Sequence, residues 1–231
     1  MPIIDLALEG PPGACQGGYA CGLLAGHLAA DAEVTLRKPV PLGAELRVAP
    51  AGDGVALYAG DEPVAEAVPT RLAIEAPAPP TFTEALAATA DFPGLRGHPY
   101  PKCVGCGTER SDPAALRIFP GPIFGRDLLA AVWYPGRPVT TEDVWAALDC
   151  PGGWAAMHLG KTDKPAVLGR MAARVSLPPE PESAYIVVGW LGEVSGRKLT
   201  AGTALYSREG TLHGFSRQTW ITLNDDQAAR S

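Results

Sequence analysis

The segment Asp149-Cys-Pro-Gly-Gly153 combines two residues that suit a helix start with two that are costly inside a helix. Pro151 fits the first turn, where its missing N–H is no loss, and Asp149 stands where an N-cap is expected. Gly152 and Gly153 each cost roughly 1 kcal/mol relative to Ala in a helix interior. Because glycine has no Cβ, a substrate group can come close to its N–H at a helix start. The helix dipole favours negative charge that develops on such a group. The segment therefore indicates either a site that stabilises an oxyanion or a close packing contact.

Cys103 and Cys106 have the Cys-x-x-Cys spacing of zinc ligands, and His98 is a candidate third ligand. A closed zinc site needs four ligands. The other cysteines fall in predicted helix regions and are Cys15, Cys21 and Cys150. We therefore predict no metal site and no cofactor, but a turn that depends on Gly105 and Gly107. An odd total of five cysteines favours a reducing compartment over a disulfide framework.

The chain contains an internal repeat that predicts how these segments are positioned. Cys15-Gln-Gly-Gly-Tyr-Ala20 recurs as Cys150-Pro-Gly-Gly-Trp-Ala155, and Ala56-Leu-Tyr58 recurs in the same order as Ala204-Leu-Tyr206. The first motif opens an apolar stretch with helical spacing in each half, and the second lies among strands. Two copies of one unit are expected, each a helix packed on an antiparallel meander.

Alternating and β-branched segments predict the strands of each half. Those of the first half are 33–40, 44–49, 54–58 and 63–72. Those of the second half are 116–119, 128–134, 168–177, 184–193, 198–207 and 211–223. Thr140 to Asp143 predicts a cap for a separate turn at 143–148 before the second-half helix. The fold class is therefore α+β, and we expect the two sheets to join edge to edge, because a short meander otherwise exposes unpaired edge groups.

The division of the chain follows from a change in composition after residue 75. Residues 1–75 are predicted to be the N-terminal repeat and 76–102 a Pro-rich linker, with a short helix opened by a capping box at Thr81 and Glu84. Residues 103–224 are predicted to be the C-terminal repeat, and 225–231 a frayed tail.

Composition excludes several classes of partner. The chain is 46% hydrophobic and 19% charged, so it is expected to fold. Its formal net charge is −6, and we expect no nucleic-acid partner, because binding nucleic acid needs clustered cations. The longest apolar stretch, 19–28, is too short to span a membrane. The N-terminus lacks the basic region of a secretory signal, and we predict a cytoplasmic protein.

These motifs together resemble the hotdog-fold acyl-CoA thioesterases. Gln16-Gly-Gly-Tyr19 is similar to the His-Gly-Gly or Asn-Gly-Gly helix start of that group. The Cys-x-x-Cys-Gly stretch, which runs on to Asp112-Pro-Ala-Ala-Leu-Arg-Ile118, resembles the segment that often precedes the first strand of such a domain. With the repeat, the resemblance covers nearly the whole chain and implies a tandem, or double, hotdog. That superfamily also includes hydratases, dehydratases and non-catalytic acyl-binding proteins.

The resemblance also implies site residues. Tandem hotdog thioesterases place an Asp near the start of the second-half helix and a Gln on a late strand, positions that Asp149 and Gln218 match. These two residues would orient water, while the N–H groups of Gly152 or Gly153 polarise the thioester carbonyl. The family's Ser or Thr on the strand after the helix has no counterpart in 168–174. From the residues alone, a second interpretation stays open for each position, with Asp149 as a helix cap and Gln218 as an exposed strand residue.

The second half is expected to be the active one. All five tryptophans lie there and suggest an apolar acyl slot, whereas the first-half helix has no carboxylate before Asp31 and is expected to be structural. The predicted substrate-binding residues are Gln16, Gly17, Gly18 and Trp154.

The predicted function is hydrolysis of an acyl-CoA thioester. The alternative is a non-hydrolytic acyl-binding protein, favoured by the missing hydroxyl. A hydratase ranks third, because no Asp and His stand together at the helix start. A homo-oligomer is compatible with a tandem chain but not required by it.

Overall fold

One antiparallel sheet carries all ten strands found between residues 2 and 224, the part of the chain that the computed structural model describes. The strands of the first half are β1 (Ala32–Leu36), β2 (Leu46–Ala51), β3 (Gly54–Ala59) and β4 (Glu62–Pro69). Those of the second half are β5 (Gly121–Pro122), β6 (Leu129–Trp133), β7 (Ala166–Val175), β8 (Tyr185–Ser195), β9 (Lys198–Ser207) and β10 (Leu212–Thr222). Their order across the sheet is β2-β3-β4-β1-β7-β10-β9-β8-β6-β5.

The two halves meet at one pair of strands. β1 pairs antiparallel with β7, from Ala32 opposite Ala173 to Thr35 opposite Arg170. On either side of this junction the order is the same, since β4, β3 and β2 follow β1 as β10, β9 and β8 follow β7. The repeated Ala-Leu-Tyr motifs lie on β3 and β9, which occupy equivalent places. The predicted edge-to-edge joining of two repeats is confirmed, and the fold is α+β.

Helices cover both faces of the sheet. Within the described residues they are α1 (Gly17–Ala25), α2 (Phe82–Ala90) and α3 (Thr141–Leu159), with 3-10 turns at Leu6–Leu8 and Pro93–Leu95. α1 and α3 pack on each other and share a core with Ala131 and Val187, whereas α2 packs on the neighbouring residues that point the other way, such as Val132 and Val188. Because both faces of β6 are covered, all five of its residues are buried.

α3 is one continuous helix, so the predicted separate turn and the predicted helix start at Pro151 are wrong. Its N-cap is Thr140, which forms a capping box with Asp143. A proline inside a helix costs about 3 kcal/mol. Here most of the helix is buried, against α1 and the sheet. Tertiary packing therefore overrides the local helix-breaking signal.

α1 approaches α3 through two glycines one turn apart. A Cβ on Gly18 would lie 2.5 Å from Trp145 O, and a Cβ on Gly22 would lie 2.8 Å from Glu142 Cα. Any larger residue would push the helices apart. This close crossing brings the start of α1 against the middle of α3.

Residues 116–119 do not form the predicted strand. Leu116 N–H donates to Val104 O and Ile118 N–H donates to Gly105 O, so this segment pairs with the Cys103–Cys106 turn and not with the sheet.

In the predicted linker, the helix capped by Thr81 and Glu84 is present as α2. No helix within 2–224 is both long and apolar enough to cross a bilayer. The tail predicted to fray, 225–231, lies outside the described residues.

Candidate functional site

A cavity of about 490 Å³ lies where the start of α1, the middle of α3 and the ends of β7 and β10 meet. Its walls come from both halves and include Gln16, Gly17, Leu168, Trp154 and Trp220. The start of the first-half helix forms part of the cavity wall, and the structural role expected for the first half stays a prediction. The tryptophans that line the cavity are Trp154 and Trp220, whereas Trp133 and Trp145 lie in the hydrophobic core and do not line it.

Asp149 projects from the middle of α3 into the wall of this cavity, and only 3% of it is exposed. Oδ2 accepts a hydrogen bond of 2.8 Å from the N–H of Gly18. Oδ1 has no partner among the described residues. Burial raises the pKa of Asp149 to about 8, and the bond from Gly18 opposes that rise. A buried carboxyl oxygen without a partner is costly, so Asp149 is a candidate functional residue in the cavity wall.

Asp149 is not a helix cap, and Gly152 and Gly153 are not at a helix start, because all three lie inside α3. Their N–H groups belong to the interior of the helix, which removes the basis for placing an oxyanion there. A Cβ on Gly152 would lie 1.8 Å from Gln218 Oε1, and a Cβ on Gly153 would lie 2.6 Å from the Trp220 ring. The two glycines therefore serve the packing of α3 on β10.

The start of α1 has the properties that the sequence suggested for α3. Gln16 is the N-cap, and its Oε1 accepts from the N–H of Tyr19 at 2.7 Å. Gly17 is the first helical residue and lines the cavity. As the first residue of the helix, it has an N–H without an intrahelical acceptor. A free N–H at a helix start is suited to an anionic or partly negative oxygen.

Gln218 lies behind the cavity wall in a fully bonded network, and only 1% of it is exposed. Nε2 donates to Leu148 O at 2.7 Å and to Ser216 Oγ at 2.9 Å. Oε1 accepts from Trp220 Nε1 at 2.7 Å. Gln218 therefore holds the carbonyl of the residue before Asp149, and it does not itself line the cavity.

Two hydroxyl groups support this glutamine. Thr203 Oγ1 and Ser216 Oγ are 2.6 Å apart and both are buried. Sequence reasoning looked for a hydroxyl on β7 and missed this pair on β9 and β10. The alternation of Ser216, Gln218 and Trp220 along β10 was the signal that could have found it, since alternate residues of a strand face one side.

Tyr100 is a second cavity residue with an unpartnered polar atom. Its ring lines the cavity, and its hydroxyl is buried without a hydrogen-bond partner among the described residues. Burial raises its pKa to about 12, so the hydroxyl keeps its proton and can donate it in a hydrogen bond. Sequence reasoning missed Tyr100 because it lies in an irregular segment with no periodic pattern.

The cysteines are arranged differently from the sequence expectation. Cys150 on α3 meets the Cys103–Cys106 turn, and the three Sγ atoms lie within 4.8 Å of one another. His98, the candidate third ligand, uses both ring nitrogens elsewhere: Nε2 lies 3.0 Å from Cys106 O, and Nδ1 accepts from Tyr100 N–H at 2.9 Å. Hydrogen bonds from the two neighbouring thiols lower the pKa of Cys103 well below its usual value. Burial raises that of Cys106.

Three basic residues stand along the wall of the cavity: Arg37, Lys38 and Arg197. Arg37 pairs with Glu66 at 2.6 Å, and Lys38 pairs with Glu62. The side chains of both lysine and arginine in these pairs are about half exposed, 51% and 52%. They are therefore accessible to an anionic ligand that reaches the cavity from solvent.

No protein-family model matches the sequence, and no curated protein matches it significantly. Solved structures are similar over nearly the whole chain. A TesB protein of Mycobacterium avium subsp. paratuberculosis is 14% identical, with 94% of this chain and 90% of that chain covered and a TM-score of 0.62. A protein of unknown function with a hot dog fold from Alicyclobacillus acidocaldarius is 13% identical, with 95% and 91% covered and a TM-score of 0.62.

An acyl-CoA thioesterase II from Mycobacterium marinum is 13% identical, with 91% of both chains covered and a TM-score of 0.55. At such identities the likeness shows the fold. The chain has the double hotdog fold.

Proposed function

We propose that this protein hydrolyses an acyl-CoA thioester and that Asp149 binds the attacking water. One observation carries the proposal: a buried carboxyl group in a largely apolar cavity has one oxygen fixed by Gly18 and the other without a partner. A water held at Oδ1 would satisfy that oxygen. The name of one structural neighbour, an acyl-CoA thioesterase II, is consistent with this reaction.

The reaction would use the two unpartnered groups at the start of α1 and on α3. The thioester oxygen points at the N–H of Gly17, where the helix dipole favours the negative charge that develops. Water attacks the thioester carbon, and Asp149 accepts its proton. The C–S bond then breaks, the proton passes from Asp149 to the sulfur of CoA, and the free acid and CoA leave.

Other residues would position these groups. Gln218 holds the carbonyl of Leu148 and thereby the helix backbone beside Asp149, so we assign it a positioning role and not contact with water. Gln16 caps α1, and Gly18 orients the carboxyl. The Tyr100 hydroxyl would donate to the bound acyl-CoA.

The cavity suggests how the substrate would lie. Leu168, Trp154 and Trp220 offer an apolar wall for the acyl chain. The basic side chains Arg37 and Lys38 would face the phosphates of CoA, which are the anionic part of the substrate.

A non-hydrolytic acyl-binding protein is the second candidate. Among residues 2–224, those that line the cavity include no serine or threonine, and the amide of Gln218 is already fully bonded. Such a protein would retain the ligand without turnover.

Thiol release from a panel of acyl-CoA thioesters tests the proposal. Asp149→Asn keeps an oxygen for the N–H of Gly18 but loses the proton acceptor, so kcat is expected to fall roughly 10²–10⁴-fold. Glu142→Gln, on the first turn of the same helix, is the matched control and should retain the parent rate. Equal rates for Asp149→Asn and the parent would refute the role of Asp149. A co-purified acyl ligand in mass spectrometry, without any turnover, would support the binding protein instead.

A further inference from the structure

Three cysteines from two distant parts of the chain meet in one buried cluster. Cys103 Sγ and Cys150 Sγ are 3.8 Å apart, and the Sγ of Cys106 lies within 4.8 Å of both. At a Zn–S distance of about 2.3 Å, two sulfurs of a tetrahedral zinc site are ~3.8 Å apart. The cluster is therefore already close to the spacing that one zinc ion requires.

Two sulfurs of the cluster accept hydrogen bonds from N–H donors. Trp154 Nε1 donates to Cys106 Sγ at 3.4 Å, and Gln16 Nε2 donates to Cys150 Sγ at 3.6 Å. Donors of this kind stabilise negative charge on the ligands of a metal site and orient them.

Gly105 allows the two parts of the cluster to meet. A Cβ on Gly105 would lie 2.4 Å from Cys150 Sγ, so a side chain at this position would displace that sulfur. The turn therefore presents Cys103 and Cys106 to α3 at a distance that only glycine permits. A buried thiol that binds no metal does not require another part of the chain to come so close to its sulfur.

We propose that Cys103, Cys106 and Cys150 bind one zinc ion through three thiolates. This differs from the sequence expectation of no metal site, which assumed that Cys150 lies apart from the Cys-x-x-Cys pair. His98 is not available as a fourth ligand, since both of its nitrogens are bonded. All three cysteines line the cavity, so a water from the cavity can take the fourth position.

Charge favours a metal ion at this place. Three buried thiolates would carry −3 in the wall of an apolar cavity, which is far more costly than neutral thiols. Zn²⁺ reduces the total to −1, and its binding displaces the thiol protons. The remaining negative charge is shared by three sulfurs, two of which accept N–H bonds.

Zinc binding can be measured without any assay of activity. Reduced protein, stripped with a chelator, is titrated with Zn²⁺ against a chromophoric competitor, and with Co²⁺ to record the charge-transfer absorption of thiolate ligands. We expect one ion per chain and absorption typical of cobalt bound to thiolates. No binding, or cobalt absorption without a thiolate band, would overturn the proposal.

Three variants separate the site from non-specific thiol binding. Cys106→Ala should weaken Zn²⁺ binding by more than 100-fold, whereas Cys15→Ala removes a buried cavity thiol outside the cluster and should bind like the parent. Trp154→Phe keeps an aromatic ring but removes the donor to Cys106 Sγ, and should weaken binding roughly 10–100-fold. Circular dichroism checks that each variant is folded. Equal affinity of the parent, Cys106→Ala and Trp154→Phe would refute the site.

Discussion

The backbone N–H of Gly18 donates to Asp149 Oδ2 at 2.8 Å, across 131 residues of chain. The donor belongs to the helix of the first repeat, and the acceptor belongs to the helix of the second. Since a Cβ on Gly18 would lie 2.5 Å from Asp149 Cβ, the bond requires glycine at this position. The carboxyl of one repeat is therefore oriented by the backbone of the other.

Gly18→Ala should impair both folding and turnover. Overpacking between α1 and α3 is expected to lower the free energy of unfolding by about 1–3 kcal/mol, and displacement of Asp149 should reduce kcat. Urea denaturation and thiol release measure the two effects. Gly26→Ala is the matched control, because a Cβ there would meet no atom closer than 3.6 Å. If Gly18→Ala behaves like Gly26→Ala, the close contact of the helices is not required.

Gln218→Met should destabilise the protein more than Ser216→Ala does. The methionine leaves the buried Trp220 Nε1 without its acceptor, at about 1–3 kcal/mol, and removes the second hydrogen bond to Leu148 O, whereas loss of the Ser216 hydroxyl should cost about 0.5–1.5 kcal/mol. If Gln218 acts by positioning Asp149, both variants should lower kcat and leave KM nearly unchanged. Thr219→Ala, on the neighbouring residue of β10, is the control. A change in KM alone would argue against a positioning role.

Tyr100→Phe should separate ligand binding from stability. The hydroxyl has no partner among the described residues, so its removal should leave the free energy of unfolding unchanged or slightly raise it. If the hydroxyl donates to acyl-CoA, KM should rise roughly 2–10-fold, which corresponds to the loss of one hydrogen bond. Unchanged KM and kcat would remove Tyr100 from the site.

The ion pair at the junction between the repeats should make the free energy of unfolding depend on pH in the acid range. Arg174 on β7 bonds Asp31, which precedes β1, with Nε at 2.9 Å and Nη2 at 2.5 Å from Oδ2. These hydrogen bonds lower the pKa of Asp31 below its usual value. The pair therefore stabilises the fold above the unfolded pKa of about 3.9, and this contribution is lost as pH falls through the lower folded pKa.

Arg174→Gln should reduce that loss. Unfolding free energies measured between neutral pH and about pH 2 are expected to fall less steeply in Arg174→Gln than in the parent. Arg47→Gln is the control, because it makes the same substitution at an arginine whose guanidinium packs over an aromatic ring, that of Tyr58, and not against Asp31. An identical acid slope in the parent and Arg174→Gln would show that the Asp31 pair contributes nothing measurable.

The fold was predictable from the sequence because a repeat preserves the order of elements even where local patterns are weak. The matching Ala-Leu-Tyr motifs at 56–58 and 204–206 fall on equivalent strands, β3 and β9. The start of the second helix was not predictable, since Pro151 gives the same local signal in a first turn and inside a buried helix. Only the packing of α3 against α1 and the sheet distinguishes the two.

The site could be predicted only in part. Asp149 and Gly18 stand in recognisable motifs, but the hydrogen bond between them depends on how two helices cross. Tyr100 and the meeting of Cys150 with the Cys103–Cys106 turn depend on an irregular segment folding back over α3. Contacts of this type have no period along the chain, so no sequence pattern reveals them.

When the two repeats are aligned by Cys15 and Cys150, Ala14 corresponds to Asp149 and Gln16 corresponds to Pro151. Two identical subunits related by a twofold axis would carry the same residue in both copies of a site, and any change would appear twice. A covalently joined pair is free of that constraint, so one repeat can keep the carboxyl while the other supplies the cap and the N–H donors. We therefore expect a stoichiometry of one acyl-CoA per chain, half of what two equal repeats would bind.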